Sequence, residues 1–227
     1  MNDFQQTKPL LGTGIYTDPD IALLLGIPYA KSLRWITSFW NDRFGIKYNY
    51  DHSWNVDLIR AVNFHTLIEL ITFYQLAQAG VKIRKSIKAH DIISAQYYTH
   101  YPFAMKMVLE GLRTDGTKVF LELKDGTTNN VDSTQQFEFT FIKEILKKLD
   151  FDADSMAVRY WPLGKEKSIV CDPHHQFGRP VIDGTNINSE VLYKMYLGDE
   201  PIDFIADLYK ISSEQVNDAI YFHKSLV

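Results

Sequence analysis

The hydrophobic positions near the start of the chain repeat with the spacing of short helices. Asp18 followed by Pro19 predicts a helix that begins with Asp18 as its cap, and Gly26 predicts its end. The buried face of this helix carries Ile21, Leu24 and Leu25.

A second helix is predicted from Pro28 to about Arg43. Its inward-facing side chains are those of Leu33, Ile36 and Trp40. Two helices joined by a tight turn that contains glycine are typical of the helix-turn-helix motif, whose second helix enters the major groove of DNA. We therefore predict a helix-turn-helix over residues 17–40.

The pattern changes after this motif. Residues 45–53 (GIKYNYDHS) are rich in tyrosine and alternate, which predicts a short hairpin or wing. A long helix is then predicted from about Asn63 to Gly80. Its apolar stripe carries Phe64, Leu67, Ile68, Ile71 and either Phe73 or Tyr74.

The next helix is predicted to begin near Lys82 and is strongly basic. Lys82, Lys85 and Lys88 are spaced by three residues and line one face, with Arg84 close by. A charge run of this kind is usually a solvated helix face, so the pattern alone assigns it no ligand.

The middle of the chain mixes strand and helix patterns. Residues 118–123 (KVFLEL) lie between two Asp-Gly turns, which predicts a strand. Residues 135–149 predict an amphipathic helix, with Phe139, Ile142, Ile145, Leu146 and Leu149 inward. Short strands are predicted at 156–161 and 168–172, and two very short strands around a turn at 177–187.

Three helices are predicted to close the chain, at about 189–197, 201–209 and 212–223. The last of them begins with a capping box, in which Ser212 is the cap and Gln215 lies three residues on. The final two helices form a second pattern of the helix-turn-helix type.

Composition predicts a folded, cytoplasmic protein. The 45% of hydrophobic and 14% of aromatic residues are ample for a packed core. No stretch approaches the roughly 18 apolar residues needed to span a bilayer, and the first residues lack the pattern of a secretory signal. The single cysteine, Cys171, excludes an intrachain disulfide.

Charge is distributed unevenly along the chain. The net charge is −4, but residues 1–110 carry a net charge of +2 and residues 111–227 carry −6. The second helix of the front motif carries Tyr29, Lys31 and Arg34 at its exposed positions. The last helix of the chain carries Ser213, Glu214, Asn217 and Asp218. A phosphate backbone attracts the first set and repels the second, so we expect different partners for the two ends.

Residues that would indicate catalysis are missing from the sequence. It contains no GxSxG, P-loop, GxGxxG or HExxH motif. Cys171, His174 and His175 come closest to a metal cluster, but adjacent imidazoles on an extended backbone point in divergent directions. The acidic residues at 199–203 lie at a helix N-terminus, where the helix dipole alone favours carboxylates. We therefore predict no enzyme, no metal and no cofactor.

The front of the chain (GIYTDPDIALLLGIPYAKSLRWI) resembles the opening of MerR-type regulators. In that family a tyrosine and a polar cap precede an Ala-Leu-Leu-Gly-Val-like helix end and a Leu-Arg-aromatic recognition helix. The matching residues are Tyr16, Thr17, Ala22, Leu24, Leu25, Gly26, Ile27, Leu33, Arg34 and Trp35.

The back of the chain resembles a bacterial family described as a domain of unknown function, family four-three-three. Its pattern is Gly-x-Pro-x-Ile-x-Gly-Thr-x-Ile, a helix and a helix-turn-helix that ends in alternating aromatic residues. The matching residues are Gly178, Pro180, Ile182, Gly184, Thr185, Ile187, Gly198, Ile205, Ala206, Tyr209, Val216, Ala219 and Tyr221. Asn186 stands where the family commonly has arginine.

Chains that join these two parts through YPFA and TDG-x-x-F-L-E-L segments are similar to VapB-type antitoxins encoded beside PIN-like ribonuclease toxins. Those segments are residues 101–104 and 114–123 here. The resemblance implies a DNA-binding antitoxin that neutralises such a toxin and represses its own operon. One motif holds few phosphates, so we expect a homodimer on a palindromic operator DNA.

The predicted fold class is mainly α with short β hairpins. It comprises a MerR-like winged helix-turn-helix domain at 12–110, and at 111–227 an α+β segment and a C-terminal helix-turn-helix-like module, the module proper at about 168–227. The candidate DNA-binding residues are Tyr29, Lys31, Ser32 and Arg34 in the major groove, with Lys47 and Tyr48 of the wing on the backbone. The candidate toxin-binding residues are Asp199, Glu200, Asp203, Glu214 and Asp218.

Two other functions fit the same residues. The first is a MerR-like regulator without a toxin partner, in which an aromatic pocket binds a small apolar effector. That pocket would be lined by Tyr97, Tyr98, Tyr101 and Phe103. The second is a protein-interaction adaptor whose DNA motifs are vestigial.

Overall fold

A computed structural model describes residues 12–56, 59–114, 119–122, 128–129 and 140–225. The helices are α1 (Asp18–Leu25), α2 (Tyr29–Trp35), α3 (Ile46–Tyr48), α4 (Phe64–Gln78), α5 (Ile83–Tyr97), α6 (Lys106–Gly111), α7 (Thr140–Lys147), α8 (Ser189–Leu197), α9 (Ile202–Tyr209) and α10 (Ser213–Ser225). The strands are β1 (Tyr16–Thr17), β2 (Ser53–Val56), β3 (Ile59–Val62), β4 (Leu112–Thr114), β5 (Val119–Glu122), β6 (Thr128–Asn129), β7 (Leu149–Phe151), β8 (Ala157–Tyr160), β9 (Ile169–Cys171) and β10 (Pro180–Ile182). The predicted class, mainly α with short β hairpins, is confirmed.

Within the described residues, three small antiparallel sheets lie between the helices. Their strand orders are β1-β3-β2, β4-β5-β6 and β10-β9-β8-β7. The first sheet joins the strand that precedes α1 to the β2–β3 hairpin, and so fixes the start of the front helix pair. The third sheet precedes the C-terminal helices and connects them to the rest of the chain.

A π-helical segment, Ile36–Gly45, continues α2 into α3 as one helical stretch. Its buried residues, Ile36, Trp40 and Phe44, are spaced by four. The wider turn of a π-helix, with its i→i+5 hydrogen bonds, keeps residues at this spacing on one face better than an α-helix does. The segment therefore turns two large aromatic rings into the core, where the centroids of Trp40 and Phe73 lie 4.7 Å apart.

The larger apolar core is continuous across the predicted domain boundary at residue 110. Val108 and Leu109 on one side and Leu112 and Leu149 on the other are buried in the same cluster. A separate cluster lies within the C-terminal module and is formed by β9, β10 and the last three helices. The boundary at 110 stays a prediction, while the apolar packing divides the described residues near β9.

A buried carboxylate holds three elements of the front half together. Glu69 on α4 is inaccessible to solvent, and its Oε1 accepts a hydrogen bond of 2.7 Å from the backbone N–H of Phe103. Its Oε2 lies 2.5 Å from Nε2 of His90 on α5. Because a buried carboxylate needs partners to remain there, these bonds fix α4 against α5 and the 102–104 turn.

The structure corrects the predicted start of α1. Thr17 rather than Asp18 is the cap, and it forms a capping box with Asp20. Asp18 is instead the first helical residue and is buried. Gly26 ends α1 in the left-handed conformation, as predicted.

The predicted wing at 45–53 is also wrong in position. Residues 46–48 form α3, and the hairpin lies further along, at β2 and β3. The tyrosines alternate there because they pack on α5 and the following loop. Tyr48 donates a hydrogen bond of 3.1 Å to Asp91, and Tyr50 stacks on His100 at 4.1 Å between ring centroids.

Several elements of the second half were predicted with the right type but different extents. The predicted helix at 135–149 is α7 within the described residues, and Leu149 belongs to β7. Residues 177–187 contain one strand, β10, rather than two. The strand at 118–123 and the strands near 156–161 and 168–172 are confirmed as β5, β8 and β9. Residues 135–139 of the predicted helix lie outside the described residues.

Candidate nucleic-acid and partner interfaces

The front helix pair, α1 and α2, is joined by a short turn. Ile27 lies in the turn and is buried, and it anchors the two helices to the core. Oγ of Ser32 donates a hydrogen bond of 2.8 Å to the backbone oxygen of Tyr29 and also lies 3.4 Å from the backbone oxygen of Asp18. This second contact joins α2 to α1 across fourteen residues.

The predicted DNA-binding residues of this motif do not all face solvent. Tyr29 and Arg34 are exposed. Lys31 is half-buried, with Nζ 5.1 Å from the ring centroid of Trp35 and 5.5 Å from that of Tyr74. Ser32 is fully buried, which corrects its predicted place in the groove. The exposed surface of α2 is therefore carried by an aromatic residue and a guanidinium.

Lys47 and Tyr48 lie on α3 and both bind Asp91 on α5. The Lys47 ammonium is 2.7 Å from Oδ1 of Asp91, and Arg43 is 2.9 Å from Oδ2. Partial burial opposes ionisation of Asp91, but the hydrogen bonds from Lys47 and Arg43 outweigh this effect and lower its pKa. The two predicted wing contacts thus belong to a network between the front motif and α5.

The C-terminal module presents a second helix-turn-helix, formed by α9 and α10. The predicted capping box of α10 is confirmed, because Ser212 N donates to Gln215 Oε1 at 2.9 Å and Gln215 N donates to Ser212 Oγ at 3.2 Å. Ile205 and Val216 are fully buried between the helices. Asp203 accepts a hydrogen bond of 2.8 Å from Oγ of Ser213, which joins α9 to the start of α10.

Four of the five predicted acidic contact residues are exposed, namely Asp199, Glu200, Asp203 and Glu214. Asp218 is buried, which corrects its predicted exposure. Its carboxylate binds Nζ of Lys167 at 2.8 Å and the N–H of Ser168 at 2.9 Å. Asp218 therefore fixes α10 to the loop before β9 and is not available to a partner.

An apolar surface on α9 was missed by the sequence analysis. Phe204 is 49% exposed and Leu208 is 55% exposed, and their spacing of four places them on one face of the helix. Leu197, at the end of α8, is also exposed. The spacing in the sequence could have predicted this surface, since Phe204 and Leu208 fall on a different face of the helix from Ile205 and Ala206.

The junction between the front motif and the C-terminal module is conformationally strained. Gln176, Phe177 and Gly178 all have positive φ angles, of 48°, 58° and 89°. The carbonyl of Phe177 accepts a hydrogen bond of 2.8 Å from the N–H of Ile15, just before β1. This segment therefore connects the C-terminal half directly to the strand that leads into α1.

An open cleft of about 560 Å³ lies beside this junction. His174, Phe177 and Asn186 are among the residues that line it. His174 Nδ1 is 3.2 Å from Asp172, and His175 Nδ1 is 2.7 Å from Oδ1 of Asn186. Asn186 thus pairs with a neighbouring histidine, at the position where the resemblance led us to expect arginine.

The aromatic residues proposed for an effector pocket do not share one surface. Phe103 and Tyr101 are buried in the larger core. Tyr98 is 97% exposed, in a left-handed conformation at the end of α5.

None of the helices in the described part of the chain combines the length and apolarity that crossing a bilayer requires.

The C-terminal module is similar to a known family. Residues 169–222 match the model of the family described as "Protein of unknown function (DUF433)". The match begins at β9 and ends within α10, so it coincides with the second apolar cluster. No curated protein matches the chain.

A solved structure shares the fold of nearly the whole chain. It is the X-ray crystal structure of Rv2018 from Mycobacterium tuberculosis, with a TM-score of 0.66 and 16% sequence identity. The similarity covers 90% of this chain and 96% of that chain. The front motif, the middle segment and the C-terminal module therefore occur together in another protein of the same fold.

Proposed function

We propose that this chain is a DNA-binding antitoxin that represses its own operon and neutralises a PIN-like ribonuclease toxin. The observation that carries the proposal is the contrast in charge between the two helix-turn-helix units. The front unit exposes Tyr29 and Arg34, and the C-terminal unit exposes carboxylates. The resemblance of the two parts of the sequence to MerR-type regulators and VapB-type antitoxins supports the same function.

In the DNA complex, Arg34 reads a guanine edge in the major groove. A guanidinium donates two hydrogen bonds to O6 and N7 of guanine, which is worth about 1–3 kcal/mol of discrimination. Lys31 lies one turn earlier and contacts the phosphate backbone of the DNA, so it positions the helix without reading the base sequence. Ser32 acts indirectly, since its contacts with Tyr29 and Asp18 join the two helices. Two copies of the chain bind the half-sites of a palindrome.

In the toxin complex, the carboxylates of the C-terminal module face the basic groove with which a ribonuclease holds RNA. Charge complementarity of this kind accelerates association. Phe204 and Leu208 add an exposed apolar surface beside these charges. Aromatic anchors surrounded by polar residues commonly carry much of the affinity of an interface, so we assign Phe204 to the centre of the contact.

A DNA titration with the sequence upstream of the gene, and with unrelated DNA of equal length, tests the first half of the proposal. The purified chain should prefer the upstream DNA. Arg34→Ala should reduce the ratio of the two affinities by about tenfold, because it removes one base contact. Arg179→Ala, at an exposed position within the C-terminal module, is the matched control and should leave the ratio unchanged. Equal binding of both DNAs by the unaltered chain would refute the repressor function.

Co-expression with the product of the adjacent gene tests the second half. A ribonuclease product should co-purify, and its activity on RNA should be inhibited. Phe204→Ala should weaken the complex at every salt concentration, whereas Glu200→Gln should weaken it mainly at low salt. An adjacent ribonuclease that stays active and separate would refute the antitoxin function.

A further inference from the structure

The solvent-facing side of α5 is basic. Residues 29–48 and 82–97 together contain eight of the 24 lysines and arginines but only two acidic residues, a net charge of +6 in a chain of net charge −4. Arg84, Lys88 and Asp91 follow one stripe of α5, at the spacing that places side chains on one face. Arg84 and Lys88 are both exposed.

Several lysines on other helices are paired with a glutamate of the same helix. Lys106 on α6, Lys147 on α7 and Lys194 on α8 pair with a glutamate one turn away, at 2.6 Å for Lys194–Glu190. Arg84 and Lys88 have no ion pair within the part of the chain that the structure describes. Like charges four residues apart destabilise a helix slightly, so the repulsion between Arg84 and Lys88 lowers the stability of α5 by a small amount.

The same stripe is connected to the front helix-turn-helix. Asp91 is its acidic residue, and its carboxylate is occupied by Arg43 and Lys47 from the helical stretch that begins with α2. The ring of Phe44 also stacks on His90 of α5, with centroids 4.0 Å apart. These contacts pack α5 against residues 43–47, at the end of the helical stretch that begins with α2.

We propose that α5 is a second DNA-contacting element, which binds the phosphate backbone next to the site read by α2. The inference rests on the proposed DNA-binding function and adds residues that the helix-turn-helix alone does not supply. From Lys82 to Lys88 the helix rises about 9 Å, which covers two to three phosphates of one strand. Lysine and arginine bind phosphates through charge, so this face fixes orientation and affinity rather than sequence preference.

An acidic protein is the alternative occupant, and the composition of the face argues against it. Protein interfaces are enriched in aromatic residues and arginine but depleted in lysine, so the lysines of this face are the feature that does not fit. The exposed positions of α5 near Arg84 are occupied by Lys82 and Lys88, while the exposed aromatic residue of this region, Tyr98, lies beyond the opposite end of the helix.

The test compares two double variants over a range of salt concentrations. R84Q/K88Q removes two charges from the α5 face, and R179Q/K210Q removes two exposed charges from the C-terminal module as the matched control. For the α5 variant, the slope of log affinity against log salt should fall by about 1.8, because each phosphate contact contributes about 0.9. Its affinity at 0.1 M salt should fall at least tenfold, equally for upstream and unrelated DNA. The control should keep the slope and affinity of the unaltered chain.

Each other outcome has a distinct meaning. If the unaltered chain binds DNA and R84Q/K88Q binds with the same slope, the assignment of α5 is overturned while the helix-turn-helix function stands. If R84Q/K88Q keeps DNA binding but loses the co-purified toxin, the face binds protein and the inference is again overturned. If the unaltered chain binds no DNA, the proposed function fails and the inference fails with it. Equal melting temperatures of the three proteins confirm that the exposed substitutions leave the fold intact.

Discussion

His52 is a buried histidine without a hydrogen-bond partner for either ring nitrogen among the described residues. The ring centroids of Tyr50 and Tyr101 lie 5.0 and 5.6 Å from its own. Burial, together with the nearby His90 and His100, lowers the pKa of His52 to about 3. Because a charge here would be both desolvated and unpaired, the folded protein keeps this ring neutral.

Acid should therefore destabilise the protein through this residue. The unfolded chain binds a proton at His52 as the pH falls below about 6.5, whereas the folded chain does so only near pH 3, so stability falls with pH between these values. At pH 5.5 the loss from this group is about 1.4 kcal/mol. In urea titrations at pH 7.5 and 5.5, H52F should lose less unfolding free energy than the unaltered chain by about this amount. H174Q, at an exposed histidine, is the control, and an unaltered pH dependence in H52F would contradict the assignment.

The residues that sequence reasoning misplaced are those fixed by distant partners. The exposure of Tyr29 and Arg34 follows from helical periodicity and was predicted. Ser32 is buried because it binds Asp18, fourteen residues earlier. Asp218 is buried because Lys167 and Ser168 bind it from about fifty residues away. Helical periodicity predicts that a polar residue faces solvent, but a hydrogen bond to a partner that is distant in sequence allows the same residue to be buried.

At the scale of elements, α5 begins without a side-chain cap. Lys82 occupies the cap position with an extended backbone, φ −63° and ψ 133°, and makes no capping hydrogen bond. A carboxylate at this position would accept a bond from an unpaired backbone N–H and interact favourably with the helix dipole. The residue present is thus unfavourable for the helix but consistent with a basic DNA-binding face.

Lys82→Asp should consequently raise stability and reduce DNA affinity in the same protein. A new cap stabilises a helix by about 1 kcal/mol, which urea denaturation measures, while a salt titration measures the lost phosphate contact. Lys82→Ala is the matched control, because it removes the charge without adding a cap. It should reduce DNA affinity without the gain in stability. If the K82D protein bound DNA with unchanged affinity, Lys82 would not be part of the proposed DNA-binding surface.

Elements bounded by local signals were predicted well, and those that depend on tertiary packing were not. The capping box at Ser212 and the glycine at the end of α1 act within a few residues, so their sequence signals suffice. The wing was placed too early, because Tyr48 and Tyr50 alternate to reach α5 and the loop after it. The π-helix at 36–45 could not be predicted, because the hydrophobic pattern was interpreted with the repeat of an α-helix.

At the scale of the whole molecule, the larger apolar core and the apolar cluster of the C-terminal module meet at β9. Ile169 belongs to the C-terminal cluster and Cys171, two residues later, to the larger one. Beyond the same strand, the 176–178 turn contacts β1, which leads into the front motif. A Cβ atom on Gly178 would lie 2.2 Å from Oη of Tyr16, a fully buried side chain. The close approach of Tyr16 at this junction therefore requires glycine at position 178.

Gly178→Ala tests whether this junction supports the front motif. The substitution combines strain at a φ of +89° with a clash against Tyr16, and we expect a loss of about 2–4 kcal/mol of unfolding free energy. Gly184→Ala has a similar positive φ but no atom within 4 Å of the added Cβ, so it measures the backbone strain alone. Tyr16 precedes Thr17, the cap of α1, so displacement of its ring should also weaken DNA binding in Gly178→Ala. If both variants lose the same stability and both bind DNA normally, then Tyr16 accommodates the methyl group and the two halves are coupled by their sheets alone.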